Sequence, residues 1–158
     1  MQWAGLIAPN ATVLDVAAGR GRHSRFFAER GYKVTALDRD TSRLAPHPGI
    51  ETVQADLEDG SPWPLRDRTF AAVVVTNYLH RPLFPTLLDA LGPGGVLLYE
   101  TYMEGNERFG EPSRPAFLLK DGELLDLARG RLSMTAYEAR MISEPKMAMV
   151  QRIAARKL

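Results

Sequence analysis

The stretch Val13-Leu-Asp15-Val-Ala-Ala-Gly19-Arg-Gly21-Arg-His23-Ser24 decides the fold class of this chain. It reads as a buried strand that stops at an acidic residue, then a glycine-rich turn, then the start of a helix. Glycines at 19 and 21 allow a sharp turn and leave room for a ligand where a Cβ would collide. The free N–H groups at the start of the helix point at the same place. This strand, turn and helix open many nucleotide-binding sheets, so the functional reading is a cofactor site. The purely structural reading is a tight turn between strand and helix.

The letters of the turn discriminate between cofactors. A dinucleotide turn of the G-x-G-x-x-G kind needs a third glycine for close packing and aims its helix at a pyrophosphate. Here that third position is Ser24. Asp15, inside the strand end, suits a cationic ligand better than a phosphate. S-adenosylmethionine (SAM) carries a sulfonium and an ammonium and no phosphate, so the letters favour it. Two further strands repeat the pattern. Lys33-Val-Thr-Ala-Leu-Asp38 ends in an acid about twenty residues after the turn, the spacing at which a carboxylate reaches ribose hydroxyls. Val53-Gln-Ala-Asp56-Leu57 is read as ending a third strand in the same way. Any one of these acids is also an ordinary cap or turn residue. Their repetition at one sheet edge, where ligands of open α/β folds sit, carries the argument.

With these residues the chain resembles the class I SAM-dependent methyltransferases. The resemblance rests on Val13–Gly21, Ala36-Leu-Asp38, Ala55-Asp56-Leu57, Phe70-Ala-Ala-Val-Val-Val-Thr-Asn77 and Leu91-Gly-Pro-Gly-Gly95-Val-Leu-Leu, in the family's order. Within the family it looks closest to the small tellurite-resistance type, through Gly19-Arg-Gly21-Arg22-His23-Ser24 and Phe117-Leu-Leu-Lys-Asp-Gly122-Glu123-Leu124. The resemblance implies that Asp15, Gly19 and Gly21 line the methionine part of SAM, Asp38 the ribose, and Asp56 with Leu57 the adenine. Ala17, Arg39 and Asn77 are expected in the same cofactor site. Ala17 stands where the family usually has glycine, which reads as a mild change at a packed position. The C-terminal third has no histidine, which argues against tellurite itself as the substrate. The implied fold is α/β, a Rossmann-like, doubly wound and mainly parallel sheet closed by a C-terminal antiparallel hairpin.

At 158 residues the chain is expected to form one domain over 1–158. A net charge of +1 gives no bulk attraction to a polyanion, and the arginines are scattered singly, so no nucleic-acid partner is expected. The absence of cysteine excludes a disulfide framework, a thiolate metal site and a cysteine nucleophile; no metal is expected. No secretory apolar run or membrane-length span is visible, and a cytoplasmic protein is the default expectation. The sequence gives no oligomeric state.

The remaining elements alternate. Ser24–Gly31 reads as a helix with Gly31 as its C-cap, and the apolar Thr69–Thr76 as a central strand. A helix is expected from Pro82 to Gly92, then a strand over Val96–Thr101 after Pro93-Gly94-Gly95. Phe117–Arg129 reads as an amphipathic helix, and Leu132–Ile142 with Lys146–Arg156 as the hairpin. Tyr102–Pro115 reads as a structureless stretch, long enough to be a substrate lid.

Catalytic candidates lie after the fourth and fifth strands. His80 is a candidate general base, and equally a residue that caps or packs against the next helix. Tyr78 and Tyr102 are candidates for an aromatic wall around the methyl group, or for half-buried core positions. The leading expectation is transfer of a methyl group from SAM to a small-molecule acceptor. An NAD(P)-dependent oxidoreductase and a non-catalytic SAM-binding module are the alternatives.

Overall fold

Apolar runs become strands, and their ends gather the functional residues at one edge. The computed structural model describes Met1–Leu158. Five strands, β1 (Thr12–Val16), β2 (Lys33–Asp38), β3 (Ile50–Gln54), β4 (Phe70–Thr76) and β5 (Leu91–Tyr102), pair in parallel. The hairpin β6 (Leu132–Ile142) and β7 (Ala148–Lys157) joins β5 antiparallel. The order across the sheet is β3-β2-β1-β4-β5-β7-β6. The chain therefore reverses direction of growth between β1 and β4, which opens a crevice beyond their C-terminal ends.

Residues alternate between two apolar layers. One face of the sheet, with Val13, Val74 and Leu98, packs on Phe27 of α1 (Arg22–Ala28). The other, with Leu14, Val75 and Tyr99, packs on α2 (Phe84–Asp89) and α3 (Glu123–Ala128). Because both faces of the central strands are covered, Val73, Val74 and Val75 are all fully buried. No helix is long and apolar enough to cross a membrane.

The helices are shorter than the sequence pattern suggested. The first runs over Arg22–Ala28, starting at the glycine turn itself. The helix expected up to Gly92 stops at Asp89; Gly92 lies in β5, where residues 92–95 form a bulge between the Phe70–Leu91 and Ala72–Val96 pairs. Phe117–Arg129 holds only the six-residue α3. Leu118 and Leu119 are extended instead, because the Leu119 N–H donates to the Tyr102 carbonyl and its own carbonyl accepts from Glu104. Their leucine spacing reflects burial from a non-helical segment. The third strand ends at Gln54, so Asp56 lies just beyond it.

The stretch after Tyr102 is ordered. It contains a 3₁₀ turn at Asn106–Arg108, and Asn106 is only 1% exposed. The Asn106 amide donates to the Pro112 carbonyl at 2.9 Å and accepts from the Met149 N–H at 3.1 Å. Such side-chain ties replace regular backbone pairing, which is why composition alone reads the stretch as structureless.

Candidate functional site

A cleft of about 700 Å³ lies along the C-terminal ends of β1, β2, β4 and β5 and reaches Pro112 and Phe117 in the segment after β5. Its size falls within the range of small-molecule sites. At one end stands Asp38, the last residue of β2. Its carboxylate accepts from the Gly19 N–H at 2.9 Å and from the Asp40 N–H at 3.0 Å. The glycine turn is thus tied to the acid of the second strand. Each carboxylate oxygen retains a lone pair, since a carboxylate offers about four acceptor sites. Asp38 is 8% exposed and lines the cleft beside Arg39 and Arg43.

Asp56 and Leu57 form the adjoining wall. The Asp56 carboxylate accepts from the Glu58 N–H at 2.9 Å, closing the turn after β3. Glu58 gathers two of the sequence candidates. Tyr78 donates to Glu58 Oε2 at 3.2 Å, and His80 Nδ1 lies 3.5 Å from Glu58 Oε1. Burial, reinforced by the Glu58 charge, pushes the Tyr78 phenol well above its ordinary range. Tyr78 is therefore a hydrogen-bond donor at neutral pH and not a base. Tyr78 and Tyr102 line the cleft, whereas His80 faces Glu58 and does not line it.

Ala17 and Asn77 also line the cleft, each with a left-handed backbone at φ +55°. Asparagine tolerates this conformation and alanine does so at a cost. The departure from glycine at 17 is thus a matter of backbone strain more than of packing.

The turn residues play different parts from one another. Asp15, Gly19 and Gly21 do not line the cleft, although Gly19 is tied to it through its N–H on Asp38. Asp15 is 2% exposed and accepts from Ser24 Oγ at 2.6 Å. Its side chain joins the β1 end to the start of α1. A Cβ on Gly21 (φ +82°) would come within 2.6 Å of Leu44 Cδ2, so this glycine is required by internal packing. A Cβ on Gly19 (φ +59°) would enter open space, consistent with ligand approach there.

Several cleft residues carried no signal of their own in the sequence. Glu58 and Arg43 sit near the expected acids and were accessible by proximity. Pro112 and Phe117 come from the segment after β5 and reach the cleft only through folding. That segment is held by Arg81, which makes two bonds to Glu123, at 2.7 and 2.9 Å, and one to the Leu118 carbonyl at 2.9 Å. The cleft therefore combines an acidic end suited to a diol with an aromatic end formed by Tyr78, Tyr102 and Phe117.

Residues 13–95, over half of the chain, match the family model described as a methyltransferase domain. Trans-aconitate 2-methyltransferase of Rhizobium leguminosarum bv. trifolii (strain WSM2304) is 31% identical over 137 residues, covering 82% of this chain and 49% of the relative. Malonyl-(acyl-carrier protein) O-methyltransferase of Serratia marcescens is 30% identical over 152 residues, covering 86% of this chain and 56% of the relative. The chain spans about half the length of the curated relatives it matches. Among solved structures, TehB from Haemophilus influenzae superposes with a TM-score of 0.74 at 19% identity, over 98% of this chain and 60% of that one. The Burkholderia thailandensis 1,6-didemethyltoxoflavin-N1-methyltransferase, solved with 1,6-didemethyltoxoflavin and S-adenosylhomocysteine, gives a TM-score of 0.66 at 20% identity, over 93% and 71%. These two likenesses establish a shared fold.

Proposed function

The chain belongs to the class I SAM-dependent methyltransferase family, and on that premise we propose that it transfers a methyl group from SAM to a small-molecule acceptor. The observation that carries the reading is the Asp38 carboxylate, fixed by the Gly19 N–H at 2.9 Å and presented at the cleft wall. A carboxylate so placed accepts hydrogen bonds from both hydroxyls of a ribose, and Asp56 and Leu57 offer the neighbouring wall to an adenine. Arg39 covers the same end. Ala17 and Asn77 occupy the middle of the cleft, where the ends of β1 and β4 meet. Bound there, SAM supplies an electrophilic methyl group on a sulfonium. Tyr78 and Tyr102 contribute aromatic surface near it, while the Arg81 clasp holds the wall that limits water. The named substrates trans-aconitate and 1,6-didemethyltoxoflavin support a small acceptor as the class.

The test is calorimetry with S-adenosylhomocysteine and with NAD. S-adenosylhomocysteine is expected to bind and NAD is not. Asp38→Ala should weaken S-adenosylhomocysteine by about 1.5–3 kcal/mol, the loss of charge-assisted hydrogen bonds. Equal affinity for NAD, or no effect of the substitution, overturns the assignment.

A further inference from the structure

The sheet ends on β6, a strand of eleven residues with no strand on its outer side. The opposite edge, β3, has only five residues. The register of β6 on β7 runs without a break from Ala136 to Ile142, the one irregularity lying earlier, between Met134 and Ala136. Edge strands are commonly blunted by a proline, a lysine or a bulge. None of these falls between Ala136 and Ile142, and the two charges there, Glu138 and Arg140, are opposite in sign.

The outward-facing backbone groups of β6 follow from those of β7. The Met149 carbonyl accepts from the Met103 N–H at 3.0 Å. The Met149 N–H donates to the Asn106 side chain at 3.1 Å, so both groups of Met149 turn to the β5 side. Backbone groups alternate in direction along an antiparallel strand. Ala148, Val150 and Arg152 therefore turn to β6, where they oppose Ile142, Arg140 and Glu138. The residues between, Tyr137, Ala139 and Met141, present their N–H and C=O groups to the open edge. Their side chains leave the sheet on the face where Tyr137 packs against the core.

Glu138 and Arg140 share the other face. The Arg140 side chain is 58% exposed, with Nε 3.4 Å from Glu138 Oε2, and its terminal nitrogens have no acceptor. Glu138 Oε2 also accepts from Arg152 at 3.2 Å, whereas Oε1 has only a 3.4 Å contact from Gln2. Each residue keeps hydrogen-bonding capacity free beside the edge.

We propose that β6 pairs antiparallel with β6 of a second copy of this chain, about a two-fold axis through Ala139. Ala139 then opposes its own copy, Tyr137 opposes Met141, and Glu138 opposes Arg140, the last two contacts occurring twice. Tyr137, Ala139 and Met141 are the residues with outward backbone groups, so each of their pairs exchanges two main-chain bonds. Charge fixes the register. An axis at Glu138 sets that carboxylate against its own copy, and an axis at Arg140 does the same to the guanidinium, both destabilising. The Ala139 methyl allows close approach at the axis. Met141, 51% exposed, gains the Tyr137 ring of the second copy as a sulfur–aromatic neighbour. The axis stands perpendicular to the sheet, so the parallel strands of the two copies run in opposite directions. Their clefts open at opposite ends of the joined sheet, and the pairing does not depend on what the clefts bind.

Sedimentation velocity of the full chain tests the pairing. The parent is expected to pass from one to two chain masses as its concentration rises through the micromolar range. A single chain mass throughout overturns the proposal. Arg140→Glu and Glu138→Lys each set like charges across the axis and should weaken association about tenfold or more. Mixed in equal amounts, the two variants meet with every contact of opposite sign and should associate as the parent does. Association unchanged in both folded variants, or no recovery in their mixture, overturns this register. Ala139→Pro deletes the N–H at the axis and leaves every bond to β7 in place, so it serves if Glu138→Lys does not fold. It should remain a single chain, and association equal to the parent's overturns strand pairing. Amide exchange at Tyr137, Ala139 and Met141 should slow as the parent associates, and equal exchange at all concentrations overturns the assignment to β6.

Discussion

Asp15 and its neighbours show how one side chain's surroundings alter its role. The acid at the end of β1 turns inward to Ser24, and burial pushes its carboxyl up from 3.8 to about 6. Between those values the folded protein holds the proton and the unfolded chain does not. The contribution to stability is full below about pH 4 and is lost as pH rises through about 6. Over that window the loss is roughly 3 kcal/mol, at 1.36 kcal/mol per pKa unit. Asp15→Asn should abolish this component, which urea unfolding of both proteins at pH 4, 5, 6 and 7 would reveal as a difference that varies with pH. A constant difference would mean that Asp15 does not titrate in this range. Two residues on, Ala17 sits at φ +55°. Ala17→Gly should relieve about 0.5–1 kcal/mol of left-handed strain, net of glycine's greater freedom in the unfolded chain. At this scale the identity of the acids was legible, and the direction in which each one points was not. Asp15 and Asp38 follow the same sequence logic, yet only Asp38 reaches the cleft wall.

Among elements, the segment between β5 and α3 departs most from its reading. Its length and its glycines and prolines suggested a structureless stretch, but Asn106 ties it to the Met149 N–H of β7, and Arg81 bonds the Leu118 carbonyl together with Glu123 of α3. Arg81→Met should cost about 2 kcal/mol, less than a fully buried pair because Arg81 is itself partly exposed. Hydrogen exchange should rise selectively at residues 116–123, where the guanidinium now bonds the chain. Unchanged exchange there would show that the clasp does not hold the segment. Leu118 and Leu119 explain why the helix was overextended. Leucines at helical spacing report burial, and burial is equally served by an extended segment paired to the end of a strand. The hairpin was easier to place, since Glu144-Pro145 breaks the chain between two runs that both favour strand.

For the whole molecule, a ligand that binds the folded state alone must stabilise it. At a hundredfold excess over its Kd, S-adenosylhomocysteine should add about 2.7 kcal/mol and raise Tm by roughly 5–10 °C. Asp38→Ala should lose most of that shift at the same ligand concentration. Differential scanning calorimetry checks both, and a full shift in the variant would place the ligand away from Asp38. The cleft lies where the ends of several strands converge, so it belongs to no single segment of the chain.

The sequence by itself determined the alternating α/β pattern, the glycine turn, and acids near the ends of three strands. These are local properties: hydrophobic period, glycine's access to left-handed backbone, and the chemistry of the last residue before a turn. Tertiary structure alone decided that Asp15 would be sequestered, that Glu58 would gather Tyr78 and His80, and that Thr76, Glu100, Arg152 and Glu138 would form one row. Those outcomes depend on register between strands far apart in the chain. A shift of one residue would carry every side chain of a strand to the opposite face, and only packing of the whole sheet against both layers fixes the choice.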